Sequence, residues 1–119
     1  MHNQKIGKWG EEYTKQELIR RHWQIIAQNV FTPFGEIDII AEDQDVMVFV
    51  EVKTRQNDEF GTAAEQITKS KKNHILKSCE FYIQNQDIKK DYRIDLATLD
   101  RDPQGNWQFD LIENAITYF

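Results

Sequence analysis

The chain has 119 residues, enough for one compact domain over 1–119 and too few for two ordinary ones. Its 39% hydrophobic and 29% charged residues fit a folded protein rather than a disordered tail, and a formal net charge of −5 argues against coating nucleic acid through bulk charge. The longest uninterrupted apolar run, Val46–Val50, is far below a membrane span, and no signal-peptide pattern follows Met1. Cys79 has no second cysteine to pair with, so the expectation is a cytoplasmic protein without membrane attachment.

In chain order, residues 4–22 read as a weakly amphipathic helix, with Gly7, Glu11, Thr14 and Leu18 on one stripe. A short strand is expected at 24–31, then a turn at Pro33 and Gly35. Residues 36–41 and 46–53 form a hairpin around the acidic turn EDQD. In its second strand Val46, Val48, Val50 and Val52 take one face, and Met47, Phe49, Glu51 and Lys53 the other. Both faces are apolar for most of that length, as in a central strand covered on both sides.

A helix is expected from 63 to 85, with Thr62 and Glu65 resembling a capping box. Its inward stripe is Ala64, Ile67, Lys71, Ile75 and Tyr82, which puts Lys71 on an apolar face; Cys79 also falls at an apolar position and reads as core. Strands at 92–99 and 107–112 flank a turn, DRDPQGN. The order gives an α/β sandwich around a mixed sheet.

The charges in the hairpin are the anomaly. Residues two apart on a strand share a face, so Glu36 goes with Asp38 and Glu51 with Lys53. If the turn sets Ala41 opposite Val46, Glu36 faces Glu51, and Asp38 lies diagonal to Glu51, roughly 7–8 Å away at the backbone. A slip of one residue would send Asp38 to the other face. Carboxylates gathered in a partly dry place repel one another unless a cation joins them. Oxygen donors without paired His or Cys favour magnesium or manganese over zinc. Such an ion on Asp38 and Glu51 could activate a phosphodiester, with Lys53 placed to orient water or neutralise developing charge. The bland alternative is an acid and a lysine meeting solvent at a strand end.

Asp38, a spacer through the turn, then Glu51-Val52-Lys53 resembles the PD-(D/E)xK nuclease core. The longer string GEIDIIAEDQDVMVFVEVKTR, residues 35–55, resembles the YraN-like bacterial proteins, a family of predicted endonucleases related to archaeal Holliday junction resolvases. GKWGEEYTKQEL at 7–18, Asn29, FGTAAEQITKSK, YRIDLATL and LIENAI are also similar to that family. The resemblance implies a restriction-endonuclease-like, three-layer α/β/α sandwich with a central mixed sheet. It implies Asp38, Glu51 and Glu11 as ligands of Mg2+ or Mn2+ and Lys53 as the catalytic lysine; Glu12 is a weaker choice than Glu11 because it lies off the stripe. Glu36 is typical of the family, either holding a water behind the ligands or closing the strand end.

The chain departs from the family in three places. Val30 and Phe31 follow Asn29 where an arginine is common, Thr14 replaces a small alanine, and His22 replaces a turn glycine.

Residues 66–79 contain four lysines and no acid. Lys71 is the expected phosphate contact, with Arg55, Lys69 and Lys72 as further contacts to a nucleic-acid backbone. Trp9, Trp23 and Trp107 read as packing anchors, and His2, His22 and His74 lack metal-ligand spacing. The expected function is a metal-dependent endonuclease on DNA, especially branched or structured DNA, with RNA as a further substrate class. A symmetric homodimer would match the related resolvases. The alternative is a non-catalytic nucleic-acid-binding or scaffold protein retaining the fold.

Overall fold

The structure is a computed structural model and describes residues 3–56 and 61–117, so His2 and Phe60 lie outside the described residues. Helix α1 spans Asn3–Arg20, followed by strands β1 Gln24–Thr32, β2 Gly35–Asp43 and β3 Val46–Arg55. Helix α2, Lys69–Asn85, leads to β4 Tyr92–Arg101 and β5 Trp107–Ile112. The sheet order is β1-β2-β3-β4-β5. Only β3 and β4 run parallel, because α2 carries the chain back between them; the other neighbours are antiparallel.

The alternation in β3 explains the layering. Met47 and Phe49 pack with Ile75, Leu76 and Cys79 of α2, while Val48 and Val50 pack with Leu18 of α1 and Trp23. Each face of the sheet thus carries its own apolar core under one helix, the α/β/α arrangement expected. Cys79 is fully buried in the α2-side core, and burial, then the charge of Glu51, pushes its thiol up, as befits a packing residue. Trp23 is buried under α1, and Trp9 packs on Trp107 with ring centroids 4.8 Å apart, joining α1 to β5.

Helix α1 ends in a Schellman turn. The Trp23 N–H donates to Leu18 O at 3.1 Å and the His22 N–H to Ile19 O at 2.9 Å, with His22 at φ +66°. Leu18 and Trp23 supply the apolar contact that usually accompanies this turn. The left-handed conformation strains a side-chain-bearing residue and suits glycine. His22→Gly is therefore expected to stabilise the protein by about 0.5–1 kcal/mol, read as a higher urea midpoint with an unchanged m-value. Thr14, on the same helix, is fully buried and its hydroxyl has no hydrogen-bond partner.

Two expectations are corrected. The helix predicted over 63–85 is broken: Ala64–Gln66 form a 3-10 turn, Ile67 is extended, and α2 begins at Lys69. Thr62 and Glu65 do bond as a capping pair, with the Glu65 N–H donating to Thr62 Oγ1 at 3.3 Å. That pair closes the 3-10 turn, whereas α2 is capped by Thr68, whose Oγ1 accepts from the Lys71 N–H at 3.1 Å. The register of the β2–β3 hairpin is the second correction. Asp43 opposes Val46 and Ala41 opposes Val48, not Val46. Glu42 and Asp43 stay in the strand, and the chain reverses over Gln44 and Asp45, with Gln44 at φ +56°. The displacement is two residues, an even number, so within the paired stretch Ile39–Asp43 each side chain keeps its expected facing.

Candidate active site

The site forms where β2 leaves β3. Their paired register ends at Ile39 and Val50. Beyond it the Val52 N–H donates to Asp38 Oδ2 at 2.8 Å, so a carboxylate takes the place of a strand carbonyl. The corrected register, continued by one residue, sets Asp38 directly opposite Glu51 rather than diagonal to it.

The strand bends at this point. Ile37 and Ile40 both pack into the α2-side core, while Ile39 between them packs toward α1. On β1, Ala27 and Val30 likewise both pack toward α2, and Asn29 between them has φ +50°. Regular alternation would separate Ile37 from Ile40, and Ala27 from Val30, onto opposite faces. The register shifts between Ile25 and Ala27, and the alternation breaks a second time between the Gln28–Ile39 and Val30–Ile37 pairs, at Asn29 and Asp38.

Asn29 uses this bend. Its Nδ2 donates to Glu11 Oε1 at 2.8 Å and to Glu36 Oε1 at 2.6 Å, tying helix α1 to the start of β2. Glu11 is brought there by Gly10: a Cβ at Gly10 would overlap Thr54 Cγ2 of β3, so only glycine lets the helix lie this close. Glu12, by contrast, faces solvent and accepts from Gln16 at 3.0 Å.

The charges of Glu51, Glu11 and Glu36 all bear on Asp38. Burial pushes Asp38 up to about 8, helped by the charges of Glu51, Glu11 and Glu36 and opposed by the Val52 N–H. Burial also raises Glu51, which is 7% exposed, while Lys71, a hydrogen bond with Asp38 and Lys53 favour its anion. The Lys71 Nζ lies 3.5 Å from Glu51 Oε1, so the lysine expected on the apolar stripe of α2 reaches the acids with its ammonium.

Asp38 and Glu51 thus meet on one side of the sheet within hydrogen-bonding reach, beside Lys53 and Lys71. Glu11 acts on Asp38 through its charge, but its carboxylate is held by Asn29. Among the described residues, no three His, Cys, Asp or Glu side chains form a ready-made metal cage. The donors present still suit a hard cation: two partly dry carboxyls whose anions are disfavoured by burial match an ion that takes the place of the proton and keeps most of its waters.

Of the other expected contacts, Lys69 and Lys72 are exposed at the start of α2, and Arg55 is half-buried at the end of β3, paired in register with Asp100 of β4. A cleft of about 140 Å³ opens from the acids and is lined by Phe34, Glu36, Glu51, Lys71, His74 and Ser78, among others. Spacing in the sequence assigns His74 no role and marks Asn29 only as a position similar to the family's. The signal for His74 was available, because it lies three residues after Lys71 on one helix. The bridge made by Asn29 depends on its backbone conformation, which no pattern in the sequence displays.

Fold and site together define an α/β protein with an acid–lysine cluster at the fork between two central strands. Residues 10–112 match the model of the uncharacterised protein family UPF0102, and the chain belongs to that family. A UPF0102 protein of Dictyoglomus turgidum is 40% identical over 113 residues, covering 92% of this chain and 96% of its own. One from Vibrio parahaemolyticus is 39% identical, covering 94% and 92%, and one from Caldicellulosiruptor saccharolyticus is 34% identical, covering 97% and 99%. Among the described residues no helix is long and apolar enough to cross a membrane.

Proposed function

We propose that the protein is a divalent-metal-dependent endonuclease of the PD-(D/E)xK type, working in the cytoplasm on DNA. The observation that carries this reading is the meeting of half-buried Asp38 with buried Glu51, the first accepting from the Val52 N–H and the second beside Lys71. Burial of unbalanced charge costs stability without helping the fold, and such costs are retained where chemistry uses them. Branched DNA, handled by a symmetric pair of subunits, is the substrate form that the resolvase resemblance favours.

A magnesium or manganese ion on Asp38 and Glu51 would supply Lewis acidity at the phosphoryl oxygen. Asp38 is oriented for this by the Val52 N–H, which fixes its Oδ2, and its carboxyl also hydrogen-bonds with Glu51. Lys53, on the same face as Glu51, is placed to orient the attacking water and offset charge gathering on the phosphate. Lys71 holds Glu51 and offers a second ammonium to the substrate backbone. Asn29 clamps Glu11 and Glu36 so that neither swings away from the cluster.

The test is incubation of purified protein with branched, flapped and linear DNA and with RNA, in magnesium, manganese or EDTA, beside Glu51→Gln. Cleavage is expected with metal, and a loss of about a thousandfold or more in the variant. Cleavage that survives in Glu51→Gln would place the activity elsewhere. Binding with no cleavage under any condition would support a scaffold role.

A further inference from the structure

The cleft beside the acids has a second end. Lys71, His74 and Ser78 of α2 line one wall, and Phe34 from the turn between β1 and β2 lines the other. Phe34 is 44% exposed, a large apolar ring left at the surface next to the most polar part of the molecule. Its ring is braced by Phe81, with centroids 6.5 Å apart, and the Lys77 Nζ lies 5.9 Å from its centroid. Lys71, His74 and Lys77 follow one another at three-residue steps. They form a row of donors that winds from Glu51 toward Phe34 over about 9 Å of helix, enough to follow a nucleic-acid backbone across one or two nucleotides.

Each feature has an ordinary explanation when taken alone. Together they reproduce the recipe for holding an unpaired strand: a donor row for the backbone and an exposed aromatic face for a base. The size is also selective. About 140 Å³ is well short of the roughly 300–1,000 Å³ that encloses a drug-sized ligand, so the cleft has room for one base, with its sugar–phosphate outside along α2. The acidic wall, Glu36 and Glu51, lies at the end where the proposed cation would sit, and the basic and aromatic groups lie beyond it.

We infer that this cleft is a subsite for one unpaired nucleotide adjoining the scissile phosphate, its base on Phe34 and its phosphodiester on His74 and Lys77. The inference rests on the nuclease reading and narrows it: the preferred substrate brings a single strand into the site, as a flap or a splayed junction does, and an uninterrupted duplex does not. DNA and RNA strands share the backbone and stacking chemistry on which the subsite depends.

Binding separates this inference from the reading beneath it. Fluorescence anisotropy with the uncut Asp38→Asn protein would compare labelled single-stranded DNA, single-stranded RNA, a flapped duplex and a blunt duplex. Adding Phe34→Ala is expected to weaken the single-stranded and flapped ligands by about 5- to 100-fold and to leave the blunt duplex unchanged. Phe34→Trp should restore or tighten binding, which a merely structural role for the ring would not predict. His74→Ala with Lys77→Ala should weaken the same ligands and flatten their salt dependence. Equal affinity for blunt and unpaired ligands, or indifference to Phe34→Ala, would overturn the subsite while leaving metal-dependent cleavage by the wild type standing. Phe34-dependent strand binding by a wild-type protein that never cleaves would overturn the nuclease reading instead. A DNA-to-RNA affinity ratio far from one assigns the strand.

Discussion

Asp38→Asn is expected to abolish hydrolysis and at the same time make the protein more stable at neutral and alkaline pH. Asn keeps an oxygen for the Val52 N–H, so the fold of the fork is preserved while the buried charge is removed. The folded protein holds the Asp38 proton up to about pH 8, against an ordinary value of 3.8. A raised acid contributes stability below its unfolded value and loses it as pH climbs through the folded value. The wild type should therefore lose stability between about pH 4 and pH 8, and the variant should not share that loss.

A shift from 3.8 to about 8 sets a ceiling of about 6 kcal/mol. Water reaching the half-buried carboxyl and relaxation of Glu51 reduce this to roughly 1–3 kcal/mol, or about 4–12 °C in melting temperature. Millimolar magnesium or manganese should raise the wild-type melting temperature and erase the variant's advantage, because the ion binds the folded acids alone. Melting curves for both proteins at pH 5, 7 and 8.5, with and without metal, check all three statements. A variant less stable than the wild type at pH 8.5 without metal would mean that Asp38 is charged and well solvated, and the case for a cation there would weaken.

How much of this was legible in the sequence depends on the kind of information each feature needs. The meeting of Asp38 and Glu51 tolerates an even error in register: the pairing is two residues out, yet the two carboxyls share a hydrogen bond, although the bend at Asp38 breaks the simple alternation on which the expectation rests. The register itself depended on where EDQD turned. Acids are common turn formers, so Glu42 and Asp43 read as loop, although the structure keeps them in β2 and turns over Gln44 and Asp45. The layered fold was legible because Val46–Val50 is apolar on both faces, and only a strand covered on both sides tolerates that.

Thr62 and Glu65 show the limit of a local motif. The pair forms as the pattern says, yet it closes a 3-10 turn, because Ile67 goes extended into the core before Thr68 can start the helix. The bend at Asn29 is less accessible still. It is a single left-handed residue within a strand, and its consequence, one amide holding Glu11 and Glu36, joins residues from three elements.

Arg93 and Asp95 test how far a strand-face pairing carries energetic weight. They stand two residues apart on β4, and the Arg93 Nε donates to Asp95 Oδ1 at 3.0 Å and Oδ2 at 3.2 Å. Asp95 is fully buried and also accepts from the Asn114 N–H at 2.8 Å, so it fastens the segment after β5 to the middle of the sheet. The Arg93 guanidinium lies 5.2 Å from the Trp23 ring centroid and within 3.6–3.8 Å of Asp43 and Glu113 carboxylate oxygens.

Arg93→Met keeps much of the apolar stem and removes the charge, leaving a buried carboxyl with one partner. The expected cost at neutral pH is about 3–5 kcal/mol. Burial already raises Asp95, and Arg93 is among the groups that oppose the rise, so the variant's Asp95 should titrate higher still. Below that value Asp95 protonates in the folded variant and part of the cost disappears, so the stability gap between wild type and variant should be smaller at pH 5 than at pH 8. Adding Asp95→Asn should recover part of the neutral-pH loss. Urea denaturation at both pH values measures the gap, and an equal gap at each would mean that Arg93 acts through its packing on Trp23 rather than through the charge on Asp95.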